Sequence, residues 1–373
     1  MSRVLALDGL RGWLLIIIAC NHLFGQFVST FTREPFGFVS AAEGFVFLSG
    51  FVAYLVYSKI DDKAKQRKKI WHRCGVIYLF HCISLLIVYC LIALWPVFKP
   101  VWLEFLLVSN WYQDPTSTVF LIFSLLEQPG FFDILILYLW PMFFLPFALQ
   151  LLAKGKWLLL LGASFAVWLA AQFLQQDILN QPFSLFFPDL TLRLSYFDPL
   201  AWQVLFYLGV VLAYLIKTRP QVFVFPPIIK AIFIAVFASL MLIKHMQPEW
   251  FTTFASAESR KWLTGSNDTV PVLRIINILV LAYMFKLSLP YLNKLYELRY
   301  PVFLGQHALA VFVFHTMVIY YLGPSVHQYV NETWYWDVLA CMGFVALLSI
   351  PAYLDSRYKI WRKQQKLNLS VST

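Results

Sequence analysis

Charge is what this chain has least of. Asp, Glu, Lys and Arg together make up 13% of its 373 residues, about half the share usual in a soluble domain of that length. So few charges cannot clothe a water-soluble globule. The polar segments between apolar runs are also too short to close around cores of their own, which excludes a separate soluble catalytic domain. No internal repeat, low-complexity tract or Gly/Ser linker interrupts the chain. The five cysteines (Cys20, Cys74, Cys82, Cys90 and Cys341) all fall within apolar stretches and lack metal-type spacing. They read as small apolar residues, and no metal site is expected.

What remains is apolar and aromatic, 60% and 18% of the residues, the composition of an integral membrane protein with interfacial aromatic belts. The expected fold class is all-α and polytopic, about ten transmembrane helices in one bundle. The spans are expected at 3–24, 40–57, 74–95, 131–152, 157–174, 198–216, 228–243, 270–285, 302–322 and 337–354. Residues 96–130 are read as interfacial or re-entrant helices rather than a full crossing.

The net charge of +10 gathers in short segments between spans, which marks membrane orientation and argues against a nucleic-acid partner. With the N-terminus inside, inner segments hold about 20 Lys/Arg and outer ones about 6, so both termini are expected to be cytoplasmic. The chain is then a single domain, 1–373, with a basic cytoplasmic loop at 59–73 and a basic cytoplasmic tail at 355–373. Ile17-Ile18-Ala19-Cys20 superficially resembles a lipoprotein cleavage box. Asp8 inside the apolar run argues against such processing.

The first span carries Asp8, Arg11 and His22, which a mere anchor would lack. Asp8 and Arg11 stand three apart, and Arg11 and His22 eleven apart, so all three share one helical face. Intramembrane ionisable groups are costly and usually line a bundle interior or a water-filled path. A neutral imidazole at His22 can take a proton from an incoming hydroxyl. A guanidinium at Arg11 can bind phosphate in a fork. Their separation, about 16 Å along the axis, is comparable to the pantetheine arm of coenzyme A.

Glu43 opens the second span at an outer depth like that of His22, where a carboxylate can orient the imidazole. Asp133, Gln203, Trp202 and His315 start or occupy the outer parts of other spans. They are candidates for substrate contact, with Asp198 read as a possible helix cap before Pro199. Ser49-Gly50 is read as a packing element. His72, His81, His245, His307 and His327 receive no role. Arg193, in an outer loop, is considered as a cation for an acidic acyl group.

Several strings, ALDGLRG (6–12), AAEGFVFLSGF (41–51), DILILYLWP (133–141), DPLAWQVLF (198–206) and LGQHALAVF (304–312), together resemble the OpgC family. These membrane acyltransferases succinylate osmoregulated periplasmic glucans and belong to a broader group marked by Arg, ten residues, then His in the first helix. The resemblance implies about ten helices in a bacterial inner membrane. It implies a cytoplasmic acyl-CoA donor, succinyl-CoA or acetyl-CoA, with no permanently bound cofactor. A periplasmic glucan would be the acceptor and membrane lipids the surroundings. It also implies His22 as the catalytic residue, with Arg11 supporting the donor; Asp8, on the same helical face as Arg11, is placed with it on the donor side. Acetyl transfer to another surface glycan, a proton-coupled transporter using the same charges, and a non-catalytic scaffold are the competing readings. Absent repeats count against the transporter.

Overall fold

The computed structural model describes residues 4–23, 25, 27–105, 108–173, 177–190, 192, 195–246, 263–264, 268–330 and 333–371. Among them the protein is all-α. In chain order the helices are α1 Leu5–His22, α2 Phe27–Thr32, α3 Ala41–Tyr57, α4 Lys63–Leu94, α5 Lys99–Phe105, α6 Ser109–Gln113, α7 Pro115–Phe123, α8 Asp133–Ala153 and α9 Trp157–Ala171. There follow α10 Asp177–Phe186, α11 Pro199–Thr218, α12 Pro227–Met246, α13 Val272–Tyr296, α14 Arg299–Gln306, α15 Ala308–Val330, α16 Trp334–Leu347 and α17 Ser349–Val371. Eight stretches are long and apolar enough to cross a membrane, and α3 and α9 are shorter apolar helices. Together these fall where the ten spans were expected. Between α4 and α8 the described helices are all short, as an interfacial segment requires.

Local chemistry sets the helix starts. Asp62 accepts from Ala64 and Lys65 amides, Asp114 from those of Thr116 and Ser117, and Asp198 from those of Leu200 and Ala201. Each carboxylate satisfies amide donors that no helical carbonyl reaches. Ser40 and Glu43 form a capping box at the head of α3.

Three boundaries differ from the sequence reading. The basic stretch at 59–73 is a loop only at its beginning. The Asp62 cap starts α4 at Lys63, so Lys63 to Arg73 are its first turns. The basic tail is likewise helical, since α17 continues to Val371. Helix α13 runs on to Tyr296, past the span end expected at 285, and contains Pro290.

The chain divides into two compact units, one comprising residues 1–33 and 287–373, the other 34–286. In the first, α1 packs on α14 backbone to backbone. A Cβ on Gly12 would overlap the Pro301 carbonyl, and one on Gly305 would overlap that of Asp8. Leu15, Ala19, Leu304, Phe312 and Tyr320 fill its interior. In the second, α3 and α11 meet through Gly50, against the Phe206 carbonyl, and Gly209, against that of Phe47. Small residues bring helices into such close contact where lipid removes the hydrophobic drive to associate. Val46, Trp202, Phe206, Leu145 and Leu85 are buried around this seam. By contrast α12 exposes Ile228, Ile232, Ile234 and Leu242, side chains that lipid covers in a membrane.

Gly50→Leu should therefore force α3 from α11 and lower the detergent-solubilised unfolding temperature, a cost of about 1–3 kcal/mol for overpacking. Gly162→Ala on α9, where a new Cβ meets nothing within 4 Å, should cause no loss in the same assay.

Candidate active site

His22 ends α1, and α15 carries His315 to meet it. His22 Nδ1 lies 3.1 Å from His315 Nε2, with the rings stacked at 5.3 Å between centroids. Both helices belong to the first unit. His315 is 1% exposed, and Phe312 and Phe344 ring it with aromatic surface. Two neutral imidazoles bonded in this way need one N–H and one lone pair between them.

The contact uses Nδ1 of His22 and Nε2 of His315. In the tautomer that places the shared hydrogen on His22 Nδ1, the Nε2 of His22 carries the lone pair, the form a general base requires.

Arg11 and Asp8 share α1 with His22. Asp8 is buried, Arg11 half-buried, and both stand beside the glycine seam with α14. The α1 helix is unbroken from Leu5 to His22, so the axial separation of about 16 Å holds.

The remaining candidates lie in the second unit, and each is described with its own partners. Glu43 is fully buried. Its Oε2 accepts from the Ser40 amide at 2.5 Å and its Oε1 from Arg274 Nη1 at 2.9 Å. Arg274 Nη2 reaches Glu34 Oε1 at 2.6 Å, and Lys244 closes the chain by pairing with the other Glu34 oxygen. Arg274 was not singled out in the sequence. The signal was there, an arginine three residues into an apolar helix, the same anomaly that marks Arg11.

Gln203 is taken up between helices: Nε2 donates to the Ser164 carbonyl at 2.8 Å and Oε1 accepts from Ser164 Oγ at 2.7 Å. Trp202 is fully buried, with Nε1 donating to the Asp268 carbonyl at 3.0 Å. Asp133 is buried at the head of α8, with Ser195 Oγ donating across 3.5 Å. Asp198 caps α11. In this arrangement Gln203 and Trp202 spend their polar atoms on packing. Arg193 lies outside the described residues. His81 is fully buried in α4 and, among the described residues, neither ring nitrogen has a hydrogen-bond partner. His307 pairs with Asp355 at 2.6 Å.

Glu34 lies between spans. Burial alone would raise its carboxyl, but Arg274 and Lys244 together hold it below the ordinary value of 4.5. A carboxyl depressed in the folded state stabilises above its unfolded value, and that contribution disappears as pH falls through the folded one. Wild type should therefore unfold at a higher temperature than Glu34→Gln near neutrality. The gap should shrink as pH drops below about 4.5, read by thermal unfolding of both across that range.

No curated protein and no solved structure matches the chain. A family model does, the one described as OpgC protein, over residues 3–360. That match covers α1 with its Asp8, Arg11 and His22, the α3 and α11 strings, and His315 on α15. On this ground the chain belongs to the OpgC family, as a multi-pass membrane protein.

Proposed function

We propose that this protein is an O-acyltransferase. It moves an acyl group, succinyl before acetyl, from cytoplasmic acyl-CoA to a hydroxyl of a periplasmic glucan, in a bacterial inner membrane. Family membership supports the substrate class. The observation that carries the mechanism is the His22–His315 contact, in which His22 Nδ1 faces His315 Nε2; a hydrogen held on Nδ1 makes Nε2 the base.

The acceptor hydroxyl gives its proton to His22 Nε2 as its oxygen attacks the thioester carbonyl carbon. The tetrahedral intermediate collapses, the C–S bond breaks, and the imidazolium returns the proton to the departing coenzyme A sulfur. His315 accepts from Nδ1–H throughout, so it is a positioning residue that favours the charge formed on His22. This is the orienting role expected of Glu43, whose two oxygens are instead engaged by Arg274 and Ser40. Arg11 binds donor phosphate, and the buried Asp8, three residues before it on the same helical face, belongs to the donor side. Asp133 is kept as a substrate contact because its carboxylate is held at an outer helix start. Gln203 and Trp202 support the acceptor side indirectly, through the helices they join.

Purified protein should transfer succinyl from succinyl-CoA to a linear glucan faster than acetyl from acetyl-CoA. His22→Ala should reduce transfer about 10²–10⁴-fold, the usual contribution of a general base, with unfolding temperature retained. His315→Phe should lower kcat with little change in acceptor KM, because it loosens the base without touching substrate. Full activity in His22→Ala overturns the mechanism. Acyl-enzyme trapped without acceptor would replace direct transfer by a covalent route through the same imidazole.

A further inference from the structure

The loop between α2 and α3 displays a large apolar side chain where a buried one would be expected. Phe36 is 53% exposed, whereas Phe38 two residues on is 5% exposed. The backbone between them is not free to fold the ring away. Asn277 on α13 accepts from the Phe38 amide at 2.7 Å through Oδ1 and donates to the Phe36 carbonyl at 3.2 Å through Nδ2. Gly37 between them takes φ +102°, a left-handed conformation that a side chain would strain. The backbone that carries the exposed ring is thus fixed on both of its flanks.

Beside this loop stands the chain of charges Lys244–Glu34–Arg274–Glu43. Two cations and two carboxylates balance, so the cluster offers no net field to a free anion. It does offer unspent hydrogen bonds. Arg274 is 5% exposed and holds both carboxylates in place through Nη1 and Nη2, while Glu34 keeps 12% of its side chain exposed. Lys244 is 29% exposed along its side chain, and its ammonium has donors beyond the one spent on Glu34.

A neutral, hydrogen-bonding cluster beside an exposed aromatic ring matches one ligand chemistry. A sugar has an apolar C–H face for the ring and hydroxyls for the donors and carboxylates, and it carries no charge. Holding that backbone fixed beforehand removes an ordering cost from binding. We propose that Phe36, Lys244, Glu34 and Arg274 form a glycan-binding subsite, taking a sugar unit of the acceptor. The inference rests on the acyl-transfer reading for the identity of that glycan. The subsite itself rests on the geometry of the second unit.

The test uses full-length protein in lipid nanodiscs with Phe36→Ala and Lys244→Met, each assayed well below its own unfolding temperature. Acceptor KM should rise about tenfold in each, the loss of one stacking or hydrogen-bonding contact worth about 1.4 kcal/mol. That rise should exceed any change in the KM for acyl-CoA. Unchanged acceptor KM in both variants overturns the subsite and leaves Phe36 as a membrane-interface anchor. Titration with a short linear glucan, read as binding, separates the two proposals. If wild type transfers nothing yet binds the oligosaccharide about tenfold tighter than both variants, the subsite stands and the reaction falls. No binding by wild type, or equal binding by all three, overturns the subsite.

Discussion

A polar group placed among apolar side chains must find a partner within the protein, because neither lipid nor hydrocarbon-like core will supply one. That constraint shapes most of the polar features described above, His81 excepted. At the end of α1 it is met by two imidazoles sharing one hydrogen. Around α3 and α13 it is met by alternating charges. Between α9 and α11 it is met by the reciprocal Ser164–Gln203 pair. Breaking one partner from a buried charged pair leaves the other stranded, which costs more than the pair itself contributes. These clusters therefore make structure conditional on chemistry.

The difference between the His22 pair and the Glu43 network is instructive. Two imidazoles sharing one hydrogen keep a basic ring nitrogen, and a basic nitrogen is what proton transfer needs. The carboxylate of Glu43 is spent at both oxygens, on a helix cap and on Arg274. Position along the membrane made the two residues look equivalent, and hydrogen-bond accounting separates them.

Hydropathy and basic-segment placement made the helices legible in advance, because a membrane enforces span length and leaves few alternatives for the backbone. The ends were less legible. A cap such as Asp62 acts through two amides and starts a helix whatever charge follows, so the run of lysines and arginines gave no warning that α4 begins at Lys63. Of the site, His22 and His315 were visible as costly residues at similar depth, but their contact depends on tertiary pairing across 293 positions. Gln203 and Trp202 were visible for the same reason and are engaged in packing. Nothing in a sequence distinguishes an amide kept for substrate from one that joins helices. Arg274 was overlooked because it falls near a helix start, where cations often snorkel to water, whereas here it turns inward to Glu43 and Glu34.

Helix length has its own consequence. The 32-residue α4 is about 48 Å long and the 15-residue α9 about 22 Å, and both belong to the same compact unit. A hydrocarbon layer of about 30 Å suits neither. The longer helix must carry its basic first turns into the headgroup zone, while the shorter is matched by local thinning of the bilayer or by its flanking residues, Lys154 and Lys156 among them. Either way the mismatch costs a fraction of a kcal/mol per Å. Membranes that differ in chain length will deform against it by different amounts, making bilayer composition a physical variable of its working state.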